Sequence, residues 1–370
     1  VDNLWHIFTD FYGGQYAPLA FLSYLVLYAG FGYDPFYFHM FSLLLHIGCV
    51  CLVWKLISSL LRVHGGVSEK QILYVNFITT LLFAVHPINV EAVAWISALK
   101  VLLYAFFYLL GLLCYLRYIR TSKIFYYVLT IGCFLCSFWG KEQAVTFPLA
   151  LLIVDWFTNR NMKNLEVWSE KMSFLIMAFF FGIITVLSQG KGPYEMIFPL
   201  YQRLLFGCFA LVEYITKSLL PVNLNFFYPF PIVLGEEPPL HYYLYPVVLL
   251  FLMGWIIAYR NNRYLVFGVL LFLVNLLFSI HLFNMSRHAI VADRYMYLSY
   301  VGIAFLIANG IWWLRKRLSY FKAALVFLFF YCFFLSVYTF HYTKKWENTT
   351  MVKKYTKEVL EKRLNGSNHL

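Results

Sequence analysis

The sequence predicts an all-α, polytopic transmembrane bundle of about ten apolar segments, accompanied by an extracytoplasmic amphipathic helix. Three observations carry this. Only 12% of the 370 residues are charged and 62% are hydrophobic, whereas soluble domains carry about a quarter charged residues. Mean hydropathy is +0.70. Apolar runs such as FSLLLHIGCVCLVWKLISSLL, SFLIMAFFFGIITVLS and AALVFLFFYCFFLSVYTF recur along the whole chain, which excludes a soluble globule with one anchor. A bilayer interior makes every backbone N–H and C=O pair within its own segment, so such runs are helices. The period-two alternation of a membrane β-barrel is missing.

Taken in order, spans are predicted at 36–61, 72–86, 101–119, 172–188, 244–259, 264–283, 295–313 and 322–342, with shorter runs at 124–139 and 143–157. Gly140-Lys141-Glu142 separates the two shorter runs and makes them a hairpin. Segment 200–221, LYQRLLFGCFALVEYITKSLLP, is different. At 100° per residue Gln202, Arg203, Glu213, Thr216 and Lys217 share one side, as in an amphipathic helix lying at an interface or against protein.

If that helix does not cross, the basic loops sort by side. Lys55, Arg62, Lys70, Arg117, Arg120, Lys123, Arg160, Lys163, Lys171, Arg260, Arg263, Arg315, Lys316, Arg317 and Lys322 fall on one face. Lys100, Lys141, Lys191, Arg203, Lys217, Arg287 and Arg294 fall on the other, in far more residues. The positive-inside rule makes the first face cytoplasmic. Residues 1–35, 87–100, 140–142, 189–243 and 284–294 then share the extracytoplasmic face, where Asp2, Asp10, Asp34, Glu91, Glu142, Glu195, Glu213, Glu236, Glu237 and Asp293 gather. Polar motifs and long loops collected on one face point to a site.

Two regions are predicted: a multispan membrane domain over 1–343, and a Lys-rich helical segment over 344–370 that leads out of it. The chain opens on Val1, and a fragment is expected, with a first span lying upstream. The net charge of +12 resides in loops and tail, so it reads as a topology signal and excludes a nucleic-acid-binding domain. The cysteines lie mostly in apolar runs, and Cys133-x-x-Cys136 reads as packing rather than a metal or redox pair.

Charge is concentrated in three short motifs. In AVHPINVEAVAWISALK, spanning Ala84 to Lys100, Pro87 can open a helix that carries Glu91 and, two and a half turns on, Lys100. The motif would hold a carboxylate and an ammonium at the membrane surface; otherwise it is an interfacial helix with snorkelling ends. Lys141 and Glu142 sit at a hairpin tip, where charges near hydrocarbon need partners or water. Asp293-Arg294-Tyr295-Met296-Tyr297 opens the span at 295–313, and Arg294 offers a planar fork suited to phosphate. The alternative there is an aromatic belt with a topological arginine. His39 and His46, seven residues apart on one face, read as hydrogen-bonded core histidines. The spacing around Lys217, Pro221, Asn223 and Tyr228-Pro229 implies no mechanism of its own. No Gly-rich phosphate loop, nucleophile elbow or metal-ligand spacing is present in the sequence.

His86-Pro87-x-x-Val90-Glu91-Ala92-Val93-Ala94-Trp95, Lys141-Glu142, Lys217 with Pro221 and Asn223, and Ala292-Asp293-Arg294-Tyr295-x-Tyr297 occur in this order. With Tyr16-x-Pro18-Leu19 and the His39/His46 pair, they resemble the membrane half of the transmembrane and tetratricopeptide-repeat O-mannosyltransferases and their bacterial relatives. The resemblance runs over nearly all of residues 10–350. The chain departs from the pattern at Ala17, Ser42, Val101 and Ser299. The family's acidic catalytic pair follows a span that would precede Val1, and neither Asp2 nor Asp10 aligns with it.

The resemblance implies a glycosyltransferase of the GT-C type, in a bacterial inner membrane or, in a eukaryote, the endoplasmic reticulum. It would take a mannose-like sugar from a polyprenyl-phosphate carrier and give it to a protein hydroxyl or other acceptor on the extracytoplasmic face. A C-terminal repeat array would help bind a protein acceptor. Substrate-binding groups are expected at Arg294, Lys141, Lys217, Lys100, His86, Glu142, Tyr295 and Tyr297, with Glu91 and Asp293 as orienting groups. The catalytic base is expected upstream of Val1. No cofactor is required, although a divalent metal stays open. Two other classes stay open as well: a polytopic transporter, and a catalytically silent scaffold that presents the repeats.

Overall fold

A computed structural model of the chain describes residues 2–10, 16–189, 198–280 and 289–367. Lys191, Glu195 and Arg287, included in the sidedness prediction, lie outside them. The described residues are helical except for loops and one isolated antiparallel bridge between Tyr228 and Val291.

The N-terminal part starts with α1 (Asp2–Thr9) and α2 (Pro18–Phe31). The apolar helix α2 lies within residues the sequence assigned to an extracytoplasmic segment. Next comes α3 (Pro35–His64), set off by Asp34, whose carboxylate accepts from the Phe36 N–H at 3.0 Å, with Pro35 in the first turn. This pairing satisfies an orphan donor and supplies a helical φ. Gly65, at φ 77°, ends α3, and Ser68 caps α4 (Glu69–Val85) through the Gln71 N–H. After a broken connection come α5 (Val90–Ala94), α6 (Leu99–Thr121) and α7 (Ile124–Gly140).

The predicted run at 143–157 is not one segment. A short 3₁₀ turn over Glu142–Thr146 precedes the eleven-residue α8 (Phe147–Phe157), because Pro148 sits in its first turn and lacks an N–H to continue the ladder backwards. Then follow α9 (Leu165–Gln189), α10 (Leu200–Leu219), α11 (Leu244–Ala258), α12 (Arg263–Leu276), α13 (Met296–Leu314), α14 (Leu318–Thr343) and α15 (Thr349–Ser367). The span expected at 264–283 therefore stops at Leu276 as an α-helix.

Among the described residues, six helical stretches are long and apolar enough to cross a membrane, or seven if the bent pair Glu69–Val85 and Pro87–Ala94 counts as one. The predicted ten include shorter apolar helices such as Ile124–Gly140 and Arg263–Leu276, which length alone does not qualify. The chain is a multi-pass membrane protein. Burial ranks its spans: the window within Ile96–Thr121 and that within Asp293–Leu314 are each 61% buried, whereas the one within Leu240–Ala258 is 6% buried. Thus α6 and α13 form the centre, and α11 turns its leucines and Phe251 outward.

Small residues allow the central helices to approach closely. A Cβ on Gly302 of α13 would lie 2.5 Å from the Gly268 carbonyl of α12, and one on Gly140 would lie 2.7 Å from the Tyr104 backbone nitrogen of α6.

Helix ends gather into two groups. At one end, His64 Nδ1 meets the Phe157 carbonyl at 2.7 Å, Arg263 bonds Asn159 and the Trp156 carbonyl, and Tyr74 packs on Trp312. Lys171, expected in a short basic loop, lies in α9, fully buried and ion-paired with Asp155 and Glu170. Arg160 closes the network on the same two carboxylates, and Tyr115 donates to Asp155. Burial of such charges is tolerable only with every one paired, and the network ties α6, α8 and α9 together. Among the described residues, the opposite end holds the connections after α4 and α7 and the residues 289–295 that lead into α13, together with α10 and α15.

Candidate functional site

The second end is built from the break after α4. His86 precedes Pro87, which disfavours helical backbone at His86, and His86 has φ −71° and ψ 127°. Its Nδ1 accepts from the Ile88 N–H at 3.2 Å, and Asn89 Nδ2 donates to the Phe83 carbonyl at 2.7 Å. The chain turns through Pro87–Asn89 into α5, goes extended at Trp95, makes another short turn and enters α6. One helix from Pro87 to Lys100 was expected; a helix period cannot reveal the extended residue at Trp95. Lys100 consequently opens α6, beyond the break that separates it from Glu91.

Glu91 faces inward with 0% exposure. Both carboxylate oxygens are taken by one residue 203 positions away: Oε2 accepts the Arg294 backbone N–H at 2.7 Å and Oε1 accepts a guanidinium N–H at 2.6 Å. Arg294 begins the turn that feeds α13, and its side chain keeps 20% exposure. Its Cζ lies 5.4 Å from the Trp95 ring centroid and 5.2 Å from that of Tyr295. Lys141, 2% exposed at the end of α7, brings its ammonium 4.6 Å from the same Tyr295 ring. Two cations thus approach one aromatic ring. Glu142, next to Lys141, is partly buried at the start of its short turn.

Asp293 is buried beside Arg294 and accepts from the Tyr228 hydroxyl, 3.0 Å from each carboxylate oxygen. That hydroxyl in turn accepts from the Asn225 N–H at 2.6 Å and the Lys217 ammonium at 3.1 Å. A hydroxyl has one proton and two lone pairs, so Tyr228 is saturated as a relay from Lys217 to Asp293. Burial, then the Asp293 charge, pushes its phenol well above the usual tyrosine range, which keeps it a donor. Lys217 also pairs with Glu213 at 3.4 Å, one turn back on α10. On the polar side of α10, Gln202 and Lys217 are buried against protein, Arg203 and Glu213 are half-buried and Thr216 is exposed. The backbone holds Tyr228 in register, since the Ile290 N–H donates to its carbonyl at 2.9 Å and the Ala292 N–H donates to the Tyr214 hydroxyl at 3.1 Å.

Of the residues singled out from sequence, Glu91, Asp293, Arg294, Lys141, Lys217 and Tyr295 converge. His86 shapes the break and packs its ring 4.2 Å from that of Tyr300. Tyr297 points elsewhere, into the core, where its hydroxyl meets His46 Nδ1 at 2.7 Å. Of the two histidines expected in the core, His46 is buried and hydrogen-bonded, whereas His39 is half-buried and lines a cavity beside Trp95. Sequence reasoning assigned no role to Tyr228, Tyr214 or Trp95. Tyr228-Pro229 stood out only as a motif without a mechanism. Among the described residues, no group of three or more His, Cys, Asp or Glu side chains could hold a metal ion.

No protein-family model matches the chain, and no solved structure matches it. Curated proteins do. Protein O-mannosyl-transferase tmtc2 of Xenopus laevis is 30% identical over 203 residues, which is 50% of this chain and 23% of that protein. Protein O-mannosyl-transferase TMTC2 of Mus musculus is 32% identical over 179 residues, 44% of this chain and 20% of its own length. Tmtc3 of Drosophila melanogaster is 28% identical over 172 residues, 41% and 18% respectively. The matched region thus spans about a fifth of these relatives. The ordered motifs and these matches agree: over about half of its length or less, the chain is similar to protein O-mannosyl-transferases.

Proposed function

We propose that the chain is the membrane part of a GT-C glycosyltransferase, which moves a mannose-like sugar from a polyprenyl-phosphate carrier to a hydroxyl of a protein or another acceptor. The observation that supports this best is the cluster of Arg294 and Lys141 around Tyr295 at the end of an apolar bundle. A polyprenyl tail would lie among the helices while its phosphate reaches these cations. The relatives named as O-mannosyl-transferases point the same way.

In the transfer, the acceptor oxygen bonds the sugar's anomeric carbon, the bond from that carbon to the phosphate oxygen breaks, and a base takes the acceptor proton. Cations on the departing phosphate lower the barrier. Arg294 and Lys141 serve that role. Glu91 orients Arg294 by occupying two of its N–H groups. Asp293, held by Tyr228 and Lys217, fixes the backbone from which Arg294 projects, so Lys217 acts through this relay rather than on phosphate directly. Glu91 and Asp293 are buried and engaged by Arg294 and Tyr228, so neither is assigned as the base, and no step is assigned to a metal. The distribution of basic loops supports an extracytoplasmic site under the positive-inside rule. The matched relatives are animal proteins, which lends no support to a bacterial inner membrane.

Lys141→Gln and Arg294→Lys test the reading in reconstituted protein, with binding of polyprenyl-phosphate mannose as the readout. Each is expected to weaken binding by about tenfold, the scale of one charge-assisted contact. Unchanged binding in both, with normally inserted protein, rejects the assignment.

A further inference from the structure

A cavity of about 820 Å³ opens between α15 and the connection that carries Trp95. Its floor is aromatic. Trp95 lies 5.1 Å from Phe226 at 87°, and Trp346 lies 5.9 Å from Phe226 and 6.3 Å from Trp95, centroid to centroid. The outer wall is α15, which contributes Thr349, Lys353 and Lys357. This wall is anchored: the Tyr355 hydroxyl donates to the Leu224 carbonyl at 3.1 Å, Thr356 donates to Asn225 Oδ1 at 3.2 Å, and the Lys345 ammonium lies 3.4 Å from the Tyr355 ring centroid.

From these features we infer that the groove binds an extended polypeptide segment bearing serine or threonine, the acceptor of the transfer proposed above, on which this inference rests. Charge decides against an anionic occupant. The two lysines on the wall are offset by Glu347 and Glu361, which line the same cavity, so the wall carries no excess of positive charge to draw a phosphate. An apolar floor under a rim of hydroxyl, amide and mixed charged groups suits a peptide, whose backbone needs hydrogen-bonding partners while its side chains alternate between two faces. Length agrees. Lining residues on α15 run from Thr349 to Glu361, a rise of about 18 Å at helical spacing, matched by about five or six extended residues.

Position completes the case. Trp95 belongs to the groove, and its ring lies 5.4 Å from the Arg294 guanidinium. A hydroxyl carried past Trp95 therefore arrives beside the cations that would hold the donor's phosphate. The same loop that anchors α15 carries Tyr228, so the groove and the polar relay share a support.

The test uses the full chain in nanodiscs and two probes: an end-capped, fluorescein-labelled peptide of serine, threonine and valine, and polyprenyl phosphate. Ser97 and Thr349 are exposed groove residues, and Ser97→Trp or Thr349→Trp fills the space without touching the ion pairs. Each is expected to weaken peptide binding by about tenfold, as for blocking an anchoring contact, and to leave polyprenyl-phosphate binding within about twofold, as for a site with no shared contact. A photo-crosslinking residue at Lys353 should capture the peptide in the unblocked protein. If the unblocked protein binds polyprenyl phosphate but neither binds nor crosslinks the peptide, or if both tryptophan variants bind it undiminished, the inference is overturned while the donor reading stands. Peptide binding that Trp blocks, in a chain indifferent to polyprenyl phosphate, upholds the groove and sinks the donor reading instead.

Discussion

Arg294 donates to Glu91 twice, from backbone and side chain, and this doubling makes the pair a positional lock rather than a simple ion pair. With Glu91 sealed from solvent, removal of one partner strands the other. Glu91→Gln or Arg294→Gln alone should lower stability by about 3–5 kcal/mol, the usual cost of an unpaired buried charge. The double replacement should lose clearly less than the sum of the two, as contacting residues do. Thermal unfolding in detergent checks this; strict additivity would show that the pair is not coupled. At Tyr228 the expectation is smaller. Tyr228→Phe removes one hydroxyl that serves Asn225, Lys217 and Asp293, and should cost about 1–3 kcal/mol through the donors and acceptors left unsatisfied, seen as a lower unfolding temperature with an unchanged helical signal. The sequence made Glu91, Asp293, Arg294 and Lys141 visible because charge is scarce in so apolar a chain. Tyr228 was hidden for the opposite reason: the chain has 30 tyrosines, and only a long-range contact separates this one from the rest.

Among the elements, long spans such as α3, α6, α9, α13 and α14 were legible from apolar length, since lipid contact and helix contact both demand apolar side chains. Breaks were less so. The link through Trp95 keeps the composition of a helix while leaving helical geometry, and α8 begins only after a 3₁₀ turn, so neither interruption disturbs a hydropathy reading. Amphipathic α10 was legible as a helix, and the structure adds that Gln202 and Lys217 on its polar face are buried against protein. Close helix contacts carry their own prediction. Gly302→Ala would push a methyl to 2.5 Å from the Gly268 carbonyl and 2.7 Å from the Phe272 nitrogen. Both are backbone atoms, so relief requires α12 and α13 to separate, at about 1–3 kcal/mol for overpacking. Gly182→Ala and Gly254→Ala meet nothing within 4 Å and should leave the unfolding temperature unchanged or raise it slightly. Equal effects at all three positions would mean that the close approach of α12 and α13 contributes nothing to stability.

For the molecule as a whole, the division into two ends links sequence to function. Sorting the basic loops required that 200–221 not cross the membrane, and the structure gathers α10 with the polar cluster: Lys217 reaches Tyr228, and a Cβ on Gly207 would lie 2.5 Å from the Ile280 carbonyl. Loops rich in arginine and lysine collect at the opposite end, where Asp155, Glu170, Arg160 and Lys171 form a buried network, although sequence placed Arg160 and Lys171 only among the basic loops. Hydropathy could place these residues near a membrane boundary but could not pair them, because their partners come from three different helices. The excess of basic loops at that end is what the positive-inside rule expects of a cytoplasmic face. Glu237 and Lys316 are both exposed and lie at opposite ends, so single cysteines at these positions, in a background lacking the native seven, report sidedness directly. With a membrane-impermeant maleimide applied to sealed vesicles of known orientation, Lys316→Cys should react only from the cytoplasmic side and Glu237→Cys only from the other. Reaction of both from one side would contradict the two-ended arrangement itself. Exchange of the two sides would leave the bundle intact and place the cations and the aromatic groove on the cytoplasmic face, where an acceptor would have to be cytosolic.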